Sequence, residues 1–528
     1  MLLSLILSVL AAHTGLALGD TSVTVNINKR LQVIDGFGVS EAYGHAKQFQ
    51  NLGPGPQKEG LDLLFNTTTG AGLSIIRNKI GCDDSNSITS TNTDNPAKQP
   101  VFHFDGDDDG QSAKSMGRLC GTPGVSCTSG DWRHRYVEMI AQYLSYYKEA
   151  GIPVSHVGFL NEGDGSDFML SSAEQAADVI PLLHSALNSK GLGDIKMTCC
   201  DNIGWKSQME YTAKLAELGV ESYLSVITSH EYSSSPDQSM NTTLPTWMSE
   251  GAANDQAFAT AWYVNGGSNE GFTWAVKIAQ GIVNADLSAY IYWEGVETNN
   301  RGSLSHVIDT DGTKFTISSI LWAIAHWSRH IRPGAHRLST SGVVQDTIVG
   351  AFENVDGSVV LVLTNTGTAA QTVDLGVTGR TFSTAQAFTS HAEAQMVNTK
   401  VTLSDNRVKV TVPVHAVVTV KLTTARSSNA ISAAISSQST PTPANDGHSL
   451  VRQKPSSTTL SIVRAPTSAQ TTSVVESAKA VKYPVPAVTP KSSKKSPAKK
   501  NSHQSHSAHG AAHHRCGHGN HRRGRCTK

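Results

Sequence analysis

A (β/α)8 barrel followed by a small β-sandwich and a disordered tail is the α/β architecture that this sequence predicts. Three observations carry the expectation. Short apolar strands alternate with amphipathic helices over about 300 residues. Several of these strands end in a polar residue inside a glycine-bounded loop, as a barrel strand does when it delivers a side chain to its C-terminal face. From Val343 the pattern turns to short strands divided by turn signals, and beyond Thr424 apolar periodicity is lost. No glycine-rich phosphate fingerprint accompanies the strands, which sets the barrel ahead of a doubly wound sheet.

The chain has 528 residues, enough for two or more domains with large cores. Residues 1–12 are apolar but too few to span a bilayer, and the small residues Gly15, Ala17 and Gly19 suit cleavage, so 1–19 read as a secretory signal. No later segment has transmembrane length. The expected mature protein is secreted, extracellular, soluble and monomeric. A formal net charge of zero hides a division: residues 425–528 hold 16 of the 43 Lys and Arg and 2 of the 43 Asp and Glu. The body is therefore acidic and the tail basic. Seven cysteines in an exported chain imply disulfides, and Cys120 with Cys127 is the easiest pair to propose. Asn66-Thr67-Thr68 and Asn241-Thr242-Thr243 are glycosylation acceptors.

Taken in order, residues 20–30 contain an alternating strand (Val23, Val25, Ile27) with no barrel role, expected to join the β side domain. The barrel is expected over 31–335. It opens with the strand over 31–39, where Asp35-Gly36-Phe37-Gly38 permits a tight turn. A buried strand over 73–81 carries Arg77. Residues 82–130 hold no apolar strand run. The helix over 131–150 repeats Tyr136, Ile140, Tyr143, Leu144 and Tyr147 at helical spacing. Strands follow at 157–162, 195–200, 224–230, 246–250 and 288–293, with helices at 173–187, 207–218, 271–284 and 317–328 between and after them. Residues 336–424 read as a β-sandwich. Residues 425–528, rich first in Ser/Thr/Pro, then in Lys, then in His and Arg, cannot bury enough apolar surface to offset ordering entropy, so disorder is expected.

The strand ends offer Arg77, Asn161, Glu162, Trp205, His230, Tyr232, Glu250, Trp293, Glu294 and Glu297 to one face. Glu162 and Glu250 each close a strand in a glycine-bounded loop, about 90 residues apart, which suggests paired-carboxylate chemistry. One carboxyl would protonate a leaving oxygen while the other meets an oxocarbenium-like carbon. Aromatic side chains would stack on sugar rings. Residues alone do not rank Glu294 and Glu297 below Glu250. His230-Glu231-Tyr232 lacks the second histidine of a zinc-protease helix. Asp105-Gly106-Asp107-Asp108-Asp109-Gly110 matches half of a calcium loop, but its twelfth position is Met116, so a solvated acidic loop is expected there. No metal and no cofactor is expected.

With Asp35-Gly36-Phe37-Gly38, Gly158-Phe159-Leu160-Asn161-Glu162, His230-Glu231-Tyr232, Trp247-Met248-Ser249-Glu250 and Tyr292-Trp293-Glu294-Gly295, residues 21–424 resemble glycoside hydrolase family 30, in its fungal xylanase-like branch. The resemblance implies a retaining mechanism with Glu162 as acid/base and Glu250 as nucleophile. It implies that Asn161 donates to the hydroxyl beside the reacting carbon, that Arg77 and Tyr232 hold and tune Glu250, and that Trp293 lines the reacting subsite. Trp205 and His230 are further substrate-binding candidates. His45 aligns where glucuronate-reading relatives carry arginine. The expected activity is an endo-β-1,4-xylanase or glucuronoxylanase on plant-wall polysaccharide. A xylobiohydrolase, an endo-β-1,6-galactanase or glucanase, and a catalytically impaired wall-binding protein are the alternatives. The tail, with His503, His506, His509, His513, His514, His518 and His521, would contact anionic wall or extracellular polymers; no nucleic-acid partner is expected.

One barrel unit is unaccounted for. A third strand must lie between the strands over 73–81 and 157–162, and only 111–119 is placed for it, yet that stretch is too polar to be buried on both faces. Members of the resembled family have a helix, an apolar strand and a Trp-containing loop here. The expectation is a deletion of about 30 residues, roughly one barrel unit, near Met116-Gly117-Arg118, which a mis-called splice boundary would explain.

Overall fold

The structure is a computed structural model that describes residues 22–81, 95–102, 117–165 and 169–424. The expected signal segment, the acidic stretch at 105–110, Cys82 and residues 425–528 lie outside the described residues. The chain enters on β1 (Ser22–Ile34), whose first half alternates buried and exposed residues. Next come β2 (Gly36–Ser40), α1 (His45–Gln50), α2 (Pro54–Phe65) and β3 (Ile75–Arg77). Then follow α3 (Arg133–Glu149), β4 (His156–Gly158), α4 (Ala173–Ser189), β5 (Lys196–Asn202), α5 (Trp205–Glu217), β6 (Val226–His230) and β7 (Thr246–Glu250). The series closes with α6 (Gly271–Asn284), β8 (Ala289–Thr298), β9 (His306–Thr310), β10 (Phe315–Ile317) and α7 (Ser319–Ser328).

These strands form a curled sheet in the order β4-β5-β6-β7-β8-β2-β3, all neighbours parallel. The far end of β8 also pairs with β9, and β9 with β10, a hairpin that apolar periodicity did not reveal. Inward-facing Val226, Trp247, Ala289 and Ile291 pack as a small interior cluster with Ile75. Outward-facing residues such as Phe37, Met248 and Tyr292 join the helices in the main core. Helix α4 begins with a capping box between Ser172 and Gln175, which satisfies two otherwise orphaned N–H groups.

Among the described residues the sheet does not close: β3 pairs only with β2, and β4 only with β5. Most of the stretch at 111–119 lies outside the described residues, and its end at 117–119 is a bend and coil rather than a strand. That end is tied to the rim, because Leu170 N–H donates to Gly117 O at 3.0 Å and Arg118 donates to Gln175 Oε1 at 2.7 Å. Cys120 and Cys127 are joined by a disulfide in the next loop, and Cys199 is joined to Cys200. Inside the sheet the His156 ring lies 4.6 Å from the Trp247 ring.

The second layer is a ten-stranded sheet built from β1 and β11 (Ala335–Ser341), β12 (Thr347–Glu353), β13 (Val359–Asn365), β14 (Gln371–Thr378), β15 (Thr384–His391), β16 (Ala394–Thr399), β17 (Val401–Ser404), β18 (Arg407–Val412) and β19 (Ala416–Thr423). β1 runs antiparallel to β11 and parallel to β14, so the first strand is stitched into the sandwich. Its core is aliphatic, with Val25, Leu361, Leu375, Val410 and Val420 buried. Helix α7 docks on it through buried His326, whose ring nitrogens contact Thr419 Oγ1 at 2.8 Å and Ser390 Oγ at 2.7 Å. Among the described residues no helix is long and apolar enough to cross a membrane.

Candidate active site

The C-terminal ends of β3 through β7 converge on two glutamates. Glu250 is the last residue of β7, and Glu162 lies four residues beyond β4 with φ of 50°. Asp201, facing it on β5, has φ of 54° and accepts the Glu162 N–H at 2.8 Å. Left-handed backbone at two non-glycine residues is costly and persists where surrounding contacts over-determine it. Both neighbouring ladders break at this level. The β5–β6 register shifts between Cys200 and Asn202, and the β6–β7 register shifts between Ser229 and His230, which sets His230 opposite Glu250. Such irregularities turn side chains that strict alternation would send elsewhere.

Arg77 and His230 knit the acids together. The Arg77 guanidinium pairs with Glu250, donates to Asn161 Oδ1 at 3.0 Å and lies 3.5 Å from Asp201 Oδ2. His230 Nδ1 sits 2.9 Å from Glu162 Oε1 and 3.6 Å from Glu250 Oε1. Tyr232 hydroxyl donates to Glu250 Oε1 at 3.0 Å, and Ser249 Oγ donates to Asp201 Oδ1 at 2.5 Å. One oxygen of Glu162 and one of Glu250 lie within 4.8 Å of each other and of a His230 nitrogen. Burial opposes the charge on His230, but Glu250, the hydrogen bond to Glu162 and Asp201 outweigh it, and the imidazole is held above its ordinary range. Burial also works against the Asp201 carboxylate; Arg77, His230 and Ser249 outweigh it and hold this group below the usual range.

Of the side chains expected from sequence, Glu162, Glu250, Arg77, Asn161, His230 and Tyr232 form this one network. Trp293 stands beside it, its ring centre 6.0 Å from the Arg77 guanidinium carbon and 5.8 Å from the Tyr43 ring. Trp205 does not join. It is fully buried at the head of α5, and its Nε1 donates to Gln238 O at 2.8 Å, so the indole packs the core and the expected substrate contact is corrected. His230 is fully buried as well, which makes it a positioning group between the glutamates rather than a surface for sugar. Asp201 was missed, although a strand ending in an acid before Asn202 and Gly204 carries the same signal as Glu162 and Glu250. The rival carboxylates Glu294 and Glu297 lie in a separate group with His45.

Residues 334–420, in the β-sandwich, fit the family model for the glycosyl hydrolase family 30 beta sandwich domain. The catalytic domain of xylanase C, a family 30 enzyme from Talaromyces cellulolyticus, is 38% identical to this chain, with 76% of this chain and 100% of that one covered at a TM-score of 0.72. The chain belongs to glycoside hydrolase family 30. The fold is shared more distantly with a subfamily 8 xylanase from Clostridium acetobutylicum, at 18% identity, TM-score 0.54 and coverage of 76% and 100%. It is also shared with an endo-β-1,6-glucanase at 18% identity, TM-score 0.59 and coverage of 77% and 94%.

In this family 30 chain a second acidic group borders the first. Glu41 follows β2, and Glu294 and Glu297 lie on β8; all three are buried. Burial, reinforced by the Glu297 charge, pushes Glu41 up to about 8, and burial with Glu297 and Glu41 pushes Glu294 up to about 11. Burial also opposes charge on Glu297, but hydrogen bonds from His306, Glu294, Ser305 and Asn300 hold it far below the usual range. The sign for stability follows. An unfolded glutamate with a pKa of 4.5 has released its proton at pH 5 to 8, whereas folded Glu41 and Glu294 keep theirs. The native state then binds more protons, so stability falls as pH rises, by at most about 1.4 kcal/mol per pH unit for each group. Glu297 acts in the opposite sense, its stabilisation being lost as pH falls below about 4.5. Tm is expected to peak near about pH 5 and decline toward about 8, and Glu41→Gln should flatten the decline. Equal slopes for the parent and the variant would remove Glu41 from this account.

Proposed function

We propose that this chain is a retaining glycosidase acting on β-linked plant-wall polysaccharide, with endo-β-1,4-xylanase its principal activity. The observation that carries the reading is the close approach of one oxygen of Glu162 to one of Glu250, within 4.8 Å. Carboxyls about 5–5.5 Å apart suit direct attack and a covalent intermediate, whereas about 6.5–9.5 Å leaves room for an inverting water. The 38% identity to a family 30 xylanase over the whole of that domain supports xylan as substrate.

In this reading Glu250 is the nucleophile. Arg77 and the Tyr232 hydroxyl fix both of its oxygens, aligning them with the anomeric carbon. Glu162 protonates the leaving oxygen and then draws a proton from water in the second step. His230 bridges the two and is placed to pass charge changes at one to the other. Asn161, oriented by Arg77, donates its amide N–H to the hydroxyl beside the reacting carbon. Trp293, braced by Tyr43, offers an aromatic wall to the reacting sugar.

The test is product analysis by NMR and chromatography on linear xylan, glucuronoxylan, β-1,6-glucan and β-1,6-galactan. Xylo-oligosaccharides of mixed length released first as the β-anomer are expected. First release of the α-anomer overturns the retaining mechanism. Xylobiose alone would identify an exo-acting enzyme, and cleavage confined to a β-1,6-linked polymer would replace xylan. Binding to xylan without turnover would favour the impaired wall-binding alternative, for which the edges of β3 and β4, unpaired among the described residues, speak.

A further inference from the structure

Two groups of acid and imidazole side chains have the spacing to surround an ion: Glu162, His230 and Glu250 at the candidate active site, and His45, Glu294 and Glu297 beside it. They differ in how their charges are met. In the first group the Arg77 guanidinium pairs with Glu250 and Tyr232 adds a hydroxyl, so the acids already have a resident cation. In the second, among the described residues, no lysine or arginine makes an ion pair with Glu294, Glu297 or neighbouring Glu41. Only 2% of Glu294 is exposed, yet its Oε1 has no hydrogen bond. It faces His45 Nδ1 at 3.0 Å, and that nitrogen also lacks an aligned hydrogen bond. Two lone-pair atoms brought together this closely without an aligned proton between them are arranged as ligands are around an ion.

We propose that His45, Glu294 and Glu297 form a binding site for one divalent cation of the zinc class. One imidazole nitrogen and two carboxylates are a mixed donor set suited to zinc-like ions rather than the all-oxygen cages of calcium or magnesium. Bonds of about 2.0–2.2 Å place ligand atoms around one ion about 3–3.5 Å apart. The three donor atoms already lie within 4.8 Å of one another, so a modest contraction closes the shell. Outer partners are in place. Glu297 is oriented by Ser305 and by His306 Nδ1 at 3.1 Å, and Asn300 donates to its other oxygen, as partners behind a metal-binding carboxylate commonly do. Depth favours an ion over a sugar, because a buried Glu294 and Glu297 offer no open face to a pyranose. The site would tie the first residue of α1 to β8.

The test uses the full chain, stripped with a chelator and titrated with Zn2+ near neutral pH while Tm is followed. A ligand bound only by the folded barrel raises Tm, here by about 3 °C or more at saturation. Glu294→Gln, an isosteric neutral replacement, and His45→Ala should each abolish the rise. Zn2+ held by the histidines at 503–521 is common to the parent and the variants, so the difference isolates the barrel site. No rise in the parent, or a full rise in both variants, overturns the proposal. Anomalous scattering from crystals soaked in Zn2+ gives a second reading: a peak among His45, Glu294 and Glu297 is expected, and peaks only elsewhere overturn it.

Discussion

Glu250→Gln is expected to lower kcat on xylan by about 10,000-fold or more, because an amide cannot form the glycosyl-enzyme bond. Folding should largely survive, since Arg77 retains Asp201 at 3.5 Å and Asn161 at 3.0 Å when its partner loses charge. Glu162→Gln should cost less, about 100- to 10,000-fold on xylan, and least on an aryl glycoside whose leaving group needs no proton. Azide separates the roles. In Glu162→Ala it should intercept the covalent intermediate and give a β-glycosyl azide, whereas in Glu250→Ala it should attack directly and give the α-azide. A 2-fluoro glycosyl trap, followed by peptide sequencing, should label Glu250. Label on Glu294 or Glu297 would sink the assignment, and those two are real rivals by composition. What separates them in the structure is their setting: Glu250 shares its space with Glu162, Arg77 and Tyr232, while Glu294 and Glu297 face His45.

The next largest effect concerns the open side of the sheet. Inserting one helix–strand unit ahead of Gly117 is expected to raise Tm by about 5–10 °C and to raise xylanase activity substantially. Among the described residues β3 and β4 each lack a neighbour on one edge, and Ile76 is 48% exposed where a closed barrel would cover it. An uncovered edge invites pairing with another chain, and it removes one wall of the reacting subsite. The natural protein is accordingly expected to contain the extra unit, which peptide mapping would reveal. An uninterrupted peptide across 113–119 in a fully active protein would refute both the insertion and the need for it.

Strand and helix alternation was legible because each element carries its own period, and Thr246–Glu250 and Gly271–Asn284 fall on their expected bounds. The break before α3 was legible for the same reason, since a stretch too polar to be buried on both faces cannot be a central barrel strand. The glutamates, Arg77, Asn161, His230 and Tyr232 were nameable because barrel chemistry sits where strands end. Periodicity could not separate a Trp that packs from a Trp that binds: Trp205 and Trp293 both follow a strand, and only the neighbours of each indole place one in the core and the other beside Arg77. Nor could it show that Asp201 completes the network, because the register shift between Cys200 and Asn202 falls at that residue, whose carboxylate lies beside Arg77. The sequence by itself determined the layers and the candidate acids, which depend on local pattern. The tertiary structure decided which acids meet a guanidinium and which meet an imidazole with no lysine or arginine paired to them among the described residues, because charge pairing acts through space between strands far apart in the chain.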